Sequence, residues 1–161
     1  RPPRSTLFPY TTLFRSDISG WMATSVTGER YISGASALVS GSRAVSPLRL
    51  NNQALGGEDW LYNSATGAGQ RGVAGAAGLT TTGLLVRICG RVTDAGPNWL
   101  LVDDGSAVRV LCMASAALGV PGLSAGSFVT VTGMSSLEER PEGPGRMVKL
   151  RSAADVAVLI P

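Results

Sequence analysis

The feature that most constrains the fold is a run of alternating apolar and polar residues that begins at Leu84. One set of alternate positions is Val86, Ile88, Gly90 and Val92, and the other is Arg87, Cys89 and Arg91. Successive side chains of a strand point to opposite faces of its sheet. The run therefore predicts a β-strand with one buried face and one polar face.

Four further strands are predicted downstream. They run from Trp99 to Asp103, Ala107 to Cys112, Phe128 to Thr132 and Arg146 to Arg151, and Val156 to Leu159 is a closing extended segment. Asp104-Gly105 predicts a tight hairpin turn between the second and third strands, because this pair accepts positive φ angles. Residues 113–125 are predicted to plug the barrel end as a short helix or a loop, and residues 135–145 to form a charged Pro/Gly loop.

The buried side of these strands is predicted from the same alternation. We expect the core to contain Val86, Ile88, Val92, Leu101, Val108, Val110, Val129, Val131 and Val148. The assignment depends on which face of each strand points inwards, because a shift of one residue exchanges the two faces.

Two strings carry a resemblance to a known fold. The segment GRVTDAGPNWLLVDDGSAVRVLC (90–112) resembles the first three strands of OB-folds of the anticodon-binding type, and FVTVTG (128–133) resembles their fourth. The chain is also similar to OB-like repeats of large bacterial surface or secreted proteins, where a NNQALGG-type connector precedes a GLLVRICGRVT-type strand. The resemblance implies an all-β protein with a five-stranded OB-like Greek-key barrel, and it favours an extracellular or cell-surface location. It implies a fold rather than an activity, because one fold carries many functions.

The segments before the barrel are assigned separately. Residues 1–16 resemble the translation of a sequencing-adapter read, so we interpret them as an artefact or a disordered leader on a truncated metagenomic fragment. Residues 17–50 are interpreted as the remnant of an upstream β repeat, because GERYISGASALV (28–39) resembles GRMVKLRSAADVAVL (145–159). This interpretation places a turn at Gly34-Ala35-Ser36 and predicts tandem neighbour domains in the full-length protein.

Residues 51–82 are predicted to be a Gly-rich connector, and residues 83–161 the OB-like domain. Trp60, Leu61 and Tyr62 are expected to pin the connector onto the barrel, because large aromatic side chains bury most of their surface. GAGQRG (67–72) matches a dinucleotide-binding pattern, but it lacks the preceding strand and following helix that give the pattern its meaning.

Charge and composition exclude several function classes. The net charge of +3 comes from Arg1, Arg4 and Arg15, because residues 17–161 hold equal numbers of basic and acidic side chains. The chain has no histidine, which removes most zinc sites and the commonest general base. The apolar runs are shorter than the roughly 20 residues that a membrane helix needs, so no membrane insertion is predicted.

The candidate ligand-binding residues lie on the polar faces of the predicted strands. They are Arg87 and Arg91 on the first strand, Trp99 on the second and Arg109 on the third. OB-folds of the nucleic-acid type bind through the second and third strands, with aromatic platforms beside a basic groove. The single aromatic and the acidic Asp103-Asp104 pair weaken this match.

Two functions follow from these residues. The first is a non-catalytic binding or scaffold module of a larger repetitive bacterial protein, with a glycan or a protein as its partner. The alternative is weak binding of single-stranded nucleic acid. No enzyme, metal or cofactor site is predicted, because Glu138, Glu139 and Glu142 lie on a loop that cannot fix the separation of a catalytic pair. Whether Cys89 and Cys112 are bridged stays open at this point.

Overall fold

The computed structural model describes residues 12–115, 118–120 and 122–160, with the backbone alone for residues 12–15 and 42–44. The described residues contain eleven strands and one short 3-10 helix, Ala153–Asp155. The strands are β1 (Thr12–Thr24), β2 (Arg30–Ala44), β3 (Leu48–Arg49), β4 (Trp60–Asn63), β5 (Ala68–Gln70), β6 (Leu85–Ala95), β7 (Trp99–Asp103), β8 (Arg109–Met113), β9 (Phe128–Glu138), β10 (Gly145–Lys149) and β11 (Val156–Ile160). The protein is therefore nearly all β, as the sequence predicts.

Five strands close into a barrel. β6, β7 and β8 form an antiparallel meander, β9 pairs antiparallel with β6, and β10 lies between β9 and β8. β10 runs antiparallel to β9 but parallel to β8. The order around the barrel is β6-β7-β8-β10-β9-β6, which confirms the predicted five-stranded barrel and is compatible with an OB-like fold.

The barrel core confirms most of the predicted apolar positions. Those that are fully or almost fully buried are Val86, Ile88, Val92, Val110, Val129, Val131 and Val148. The prediction for Leu101 was wrong, because Leu100 and Val102 point inwards. Trp99-Leu100-Leu101-Val102 is apolar at every position, so alternation alone could not choose the inner face of β7.

Val108 was also assigned to the core incorrectly. It is half-buried and precedes β8, which begins at Arg109. Ala107 has φ of 62°, so the turn after β7 extends further than the Asp104-Gly105 pair suggested. Val108 consequently lies in this turn and lines a surface cleft.

The connector is attached to the barrel by different residues from those predicted. Trp60 and Leu61 are 58% and 80% exposed and do not pin it, and Tyr62 is half-buried. Leu55 instead enters the hydrophobic core and is fully buried. Large side chains favour burial, but β4 pairs only with β5 among the described strands and leaves its apolar residues in solvent.

Further contacts extend the barrel unit towards the N-terminus. β3 pairs parallel with β6 through Leu48 and Arg49, and Asn52 is buried beside the β7–β8 turn. Residues from β3 onwards therefore contribute to the barrel, which was predicted to begin at residue 83.

β1 and β2 form a long antiparallel hairpin. β2 runs continuously through Gly34-Ala35-Ser36, so the turn predicted there is absent; a register shift opposite Gly20 occurs instead. β1 begins at Thr12 and crosses the limit drawn at residue 16, while residues 1–11 of the predicted leader lie outside the described residues.

Two segments were predicted as connections between barrel strands, residues 113–125 and 135–145, and the second is shorter than predicted. Of the predicted plug, residues 113–125, Met113 ends β8, residues 114–115, 118–120 and 122–125 form neither helix nor strand, and the remaining residues lie outside the described chain. Val120 and Leu123 pack against the core. The charged loop is shorter than predicted, because β9 continues through Ser135 and Leu137 to pair with β10.

Over the described residues, no helix is long and apolar enough to cross a membrane.

Candidate functional site

Two of the predicted binding residues flank one carboxylate on the outer face of the barrel. Asp103 at the end of β7 is the register partner of Arg91 on β6 and of Arg109 on β8. Directly opposed residues on neighbouring strands bring their side chains close together. Within the described residues, however, Asp103 forms no ion pair with either arginine, and its Oδ1 accepts the N–H of Gly105 at 2.8 Å.

Trp99 lies at the opposite end of β7. It is opposite Met113 on β8 and half-buried, with its indole beside Gly96. Trp99 and Asp103 are four residue steps apart along the strand, which corresponds to about 13 Å. The structure therefore does not bring Trp99 next to Arg91 and Arg109.

Arg87 is separate from the β7–β8 face. It is the register partner of Arg49 on β3 and of Thr132 on β9. Its Nε donates a hydrogen bond to Oγ1 of Thr132 at 2.9 Å. Arg87 thus packs across the β6–β9 pair, which is a structural position for this side chain.

A cleft of about 510 Å³ lies between the β7–β8 hairpin and the loop that joins β9 to β10. Leu101 and Val108 line its apolar part, and Arg109 is the predicted site residue within it. The parallel pairing of β8 with β10 places the β9–β10 loop beside Arg109. Alternation within single strands could not predict this neighbour, because residues 109 and 145 are brought together only by the barrel closure.

Three arginines and two glutamates line this cleft, and most of them are already engaged. Nε of Arg140 pairs with the carboxylate of Glu138. Arg146 donates to the carbonyl oxygens of Leu55 at 2.9 Å and Gln53 at 3.1 Å. Burial lowers the pKa of Arg146, and the positive charge of Arg140 lowers this pKa further.

Arg109 differs from these engaged groups. It is exposed, and within the described residues its guanidinium makes no hydrogen bond or ion pair. A guanidinium offers five N–H donors in a planar fork that matches carboxylate and phosphate groups. Arg109 is therefore the cation of this cleft that is open to a ligand.

A second cleft, of about 520 Å³, lies on the other side of the β7–β8 hairpin. Arg91 and Phe128 line it together with Cys89 and the acidic pair Asp103 and Asp104. The two acidic side chains place negative charge next to Arg91. This cleft is consequently less suited to an anion than the one beside Arg109.

Asp103 and Asp104 stabilise the hairpin turn. Oδ1 of Asp104 accepts the N–H of Ser106 at 3.0 Å, and its Oδ2 accepts the N–H of Asn52 at 2.7 Å. Burial raises the pKa of the Asp104 carboxyl, but hydrogen bonds from Ser106 and Asn52 outweigh this effect, so the pKa lies below 3.8. Among the described residues, no group of three or more Cys, Asp or Glu is placed to hold a metal ion.

The backbone of GAGQRG (67–72) differs from that of a dinucleotide-binding motif. Ala68–Gln70 forms β5 of a small hairpin with β4, and residues 71–84 contain neither helix nor strand. A phosphate would therefore meet no helix N-terminus after this motif.

No family model matches the sequence, and no curated protein shows significant similarity to it.

Proposed function

We propose that the barrel is a non-catalytic binding module of a larger, repetitive bacterial protein, secreted or at the cell surface. The proposed binding site is the cleft beside Arg109, and its ligand carries an anionic group. The observation that supports this site is the unengaged guanidinium of Arg109 at the edge of a cleft in which Arg140 and Arg146 already have partners.

The groups around the cleft suit binding better than catalysis. Its carboxylates are Glu138, which is paired with Arg140, and Glu142, which is exposed on a Pro/Gly loop. General acid–base catalysis by carboxylates needs two groups at a fixed separation and in different environments. Binding requires only a shaped surface with a few oriented polar groups.

An acidic glycan is the ligand class that we propose to test first. The cleft combines apolar Leu101 and Val108 with a fork-shaped cation. OB-folds, with which this barrel is compatible, bind oligosaccharides as well as oligonucleotides. A uronic-acid hexasaccharide is titrated into ¹⁵N-labelled protein, and amide shifts are followed by NMR. Shifts at Val108, Arg109 and Gly145 that Arg109→Ala abolishes are expected.

Arg91→Ala is the matched control for this experiment. It removes the same charge from β6, on the other side of β7, and lies in the other cleft. Equal loss of binding in both variants would indicate non-specific attraction and contradict the proposed site. Absence of any shift with uronate and with a poly-glutamate peptide would remove anionic glycans and acidic peptides as ligand classes.

Single-stranded nucleic acid is the second candidate function. It is favoured by the position of Arg91 and Arg109 on either side of β7, with Trp99 further along the same strand. It is opposed by Asp103, which lies between the two arginines, and by the half-buried state of Trp99. The test is tryptophan fluorescence of the full chain carrying Trp21→Phe and Trp60→Phe, titrated with a single-stranded oligonucleotide at low and moderate salt. Salt-sensitive quenching would support this candidate, because phosphate contacts release counterions.

A further inference from the structure

The β1–β2 hairpin has the same register as the β9–β10 pair of the barrel. Adding 113 to the residue numbers of β1 and 116 to those of the first half of β2 gives the paired residues of β9 and β10. The matched partners are Thr24–Arg30 and Leu137–Arg146, Ala23–Tyr31 and Ser136–Met147, Met22–Ile32 and Ser135–Val148, and Trp21–Ser33 and Met134–Lys149.

The second half of β2 matches β11 in the same way. β9 pairs with β11 through its N-terminal half, and β1 pairs with the second half of β2 through its own N-terminal half. The matched partners are Ile18–Ala37 and Val131–Val156, Asp17–Leu38 and Thr130–Ala157, and Ser16–Val39 and Val129–Val158. The same offset of 113 positions therefore relates β1 to β9 in both pairings.

The glycine at the centre of each long strand supports this equivalence. A Cβ on Gly133 would lie 2.5 Å from the carbonyl oxygen of Lys149 and 2.6 Å from Cγ1 of Val148. A Cβ on Gly20 would lie 2.7 Å from the carbonyl oxygen of Ser33 and 2.6 Å from Cγ2 of Ile32. Both glycines thus permit the same close approach of the same neighbouring positions.

The two units differ at one connection. Residues 150–155, which include the 3-10 helix, link β10 to β11, whereas only residues 34–36 occupy the equivalent place in β2. The shorter link explains why β2 continues as one strand where the barrel has two strands and a turn.

The equivalence also shows that the hairpin exposes the face that points into the core in the barrel; this is called its inner face. Val131, Ser135 and Val148 are fully buried in the barrel. Their equivalents in the hairpin are Ile18, Met22 and Ile32, which are 54%, 59% and 40% exposed. In the barrel this face is covered by the meander β6–β8, and no described strand takes that place over the hairpin.

We propose that the β1–β2 hairpin is the closing half of a second barrel. Its exposed inner face binds a three-stranded β-meander of the kind formed by β6–β8, supplied by a preceding repeat. The edge of β1 then pairs as β9 pairs with β6, and the first half of β2 pairs as β10 pairs with β8. This inference concerns how successive repeats assemble, and it does not depend on the ligand of the Arg109 cleft.

Contacts at the hairpin turn join the two units. Oε2 of Glu29 accepts hydrogen bonds from Oγ of Ser136 at 2.6 Å and from Nζ of Lys149 at 3.2 Å. The N–H of Arg71 in the connector donates to the carbonyl oxygen of Gly28 at 3.1 Å. The completed upstream barrel would therefore be attached to the next one through side-chain and main-chain contacts.

The test replaces residues 1–14 with a cysteine-free second copy of residues 84–127. This copy ends where the barrel sequence enters β9, so the link to β1 has its natural length. Thiols are introduced by Ile18→Cys or, as the matched control, by Leu38→Cys, whose equivalent Ala157 is exposed in the barrel. Both variants carry Cys89→Ser. The copy is expected to slow labelling at position 18 at least about tenfold by closing the site to solvent, with little effect at position 38.

A copy carrying Val110→Asp, which disrupts the meander core, should restore fast labelling at position 18. Equal labelling rates at position 18 with and without the intact copy would overturn the proposal, as would protection that appears in the unfused chain on raising its concentration. If the fusion is insoluble, a tagged 84–127 segment is co-expressed with the full chain. Co-purification that Ile18→Asp abolishes and Leu38→Asp preserves is then expected, and absence of co-purification would overturn the proposal.

Discussion

The main-chain N–H of Asn52 donates a 2.7 Å hydrogen bond to Oδ2 of Asp104, although the two residues lie far apart in the chain. Nδ2 of Asn52 also donates to the carbonyl oxygens of Val102 at 3.0 Å and Val108 at 2.7 Å. One connector residue therefore satisfies three acceptors around the β7–β8 turn. Because it is fully buried, solvent cannot replace these bonds.

Asn52→Ala is expected to lower the free energy of unfolding by about 2–4 kcal/mol, because it leaves two main-chain carbonyls without their partner. Urea unfolding followed by circular dichroism measures the change. Gln53→Ala is the control, since its exposed side chain makes only a 3.4 Å contact, and a change within about 0.5 kcal/mol is expected. Similar effects of the two substitutions would contradict the role given to Asn52.

The pH dependence of stability should include a contribution from Asp104. Its pKa in the folded protein lies below the ordinary value of 3.8, so the native state favours the carboxylate. The resulting stabilisation is complete above pH 3.8 and is lost as the pH falls through the lower folded pKa. The measurement is the difference in unfolding free energy between the parent and Asp104→Asn, followed from pH 6 down to pH 2.5. A difference that does not shrink below pH 3.8 would show that the carboxylate is not stabilised by folding.

The two cysteines are free, and they should react differently. Cys89 is exposed on the outer face of β6, whereas Cys112 is fully buried, and burial raises the pKa of its thiol. We expect one thiol per chain to react with an aromatic disulfide reagent in native protein and two in denaturant, because the thiolate is the reactive form. Protection of both thiols in native protein and after denaturation without reductant would indicate a disulfide instead.

Asp103 should weaken binding of any polyanion to the outer face of the barrel. A unit charge at about 5 Å in water contributes close to 1 kcal/mol, so Asp103→Asn should strengthen oligonucleotide binding roughly fourfold at low salt. Fluorescence anisotropy of a labelled single strand measures this change. Asp94→Asn is the comparison, since Asp94 is an exposed acid on the same strand as Arg91 but pairs with Leu101. An equal gain in both variants would indicate only an effect of net charge.

Gly133→Ala and Gly20→Ala should affect the chain unequally. Both place a methyl group against a main-chain carbonyl, but Gly133 lies within the closed barrel and Gly20 in the hairpin. We expect Gly133→Ala to destabilise the barrel by about 2 kcal/mol or more. Gly20→Ala should leave barrel unfolding unchanged, and hydrogen exchange should show its effect in β1 and β2 only. A loss of barrel stability from Gly20→Ala would show that the hairpin is part of the barrel's cooperative unit.

The strands of the barrel could be predicted from the sequence because they alternate regularly and end at Gly, Pro and Asp residues. The inner face of β7 could not, because Leu100 and Leu101 are adjacent and both apolar. The core position of Leu55 was also beyond local patterns, since this residue lies in a Gly-rich segment and is buried only by contacts with distant strands.

Only part of the candidate site could be predicted, because strand alternation says nothing about contacts between distant strands. Polar-face positions gave Arg91 and Arg109, whose placement on either side of β7 follows from strand order. The contributions of Arg140 and Arg146 depend on the parallel pairing of β10 with β8, a contact between residues that no periodic pattern relates. The sequence similarity between residues 28–39 and 145–159 is faint, and the proposed relation between the hairpin and the barrel rests on the register of the two sheets.

The parallel contact between β8 and β10 has a consequence for synthesis of the protein. The meander is complete when Met113 has left the ribosome, but the barrel closes only when Lys149 follows. At ordinary elongation rates this interval lasts roughly 2 to 7 s. During that time the growing chain presents an apolar sheet with open edges to chaperones and to neighbouring nascent chains, so a pause in translation between these two residues would expose the protein to misassembly.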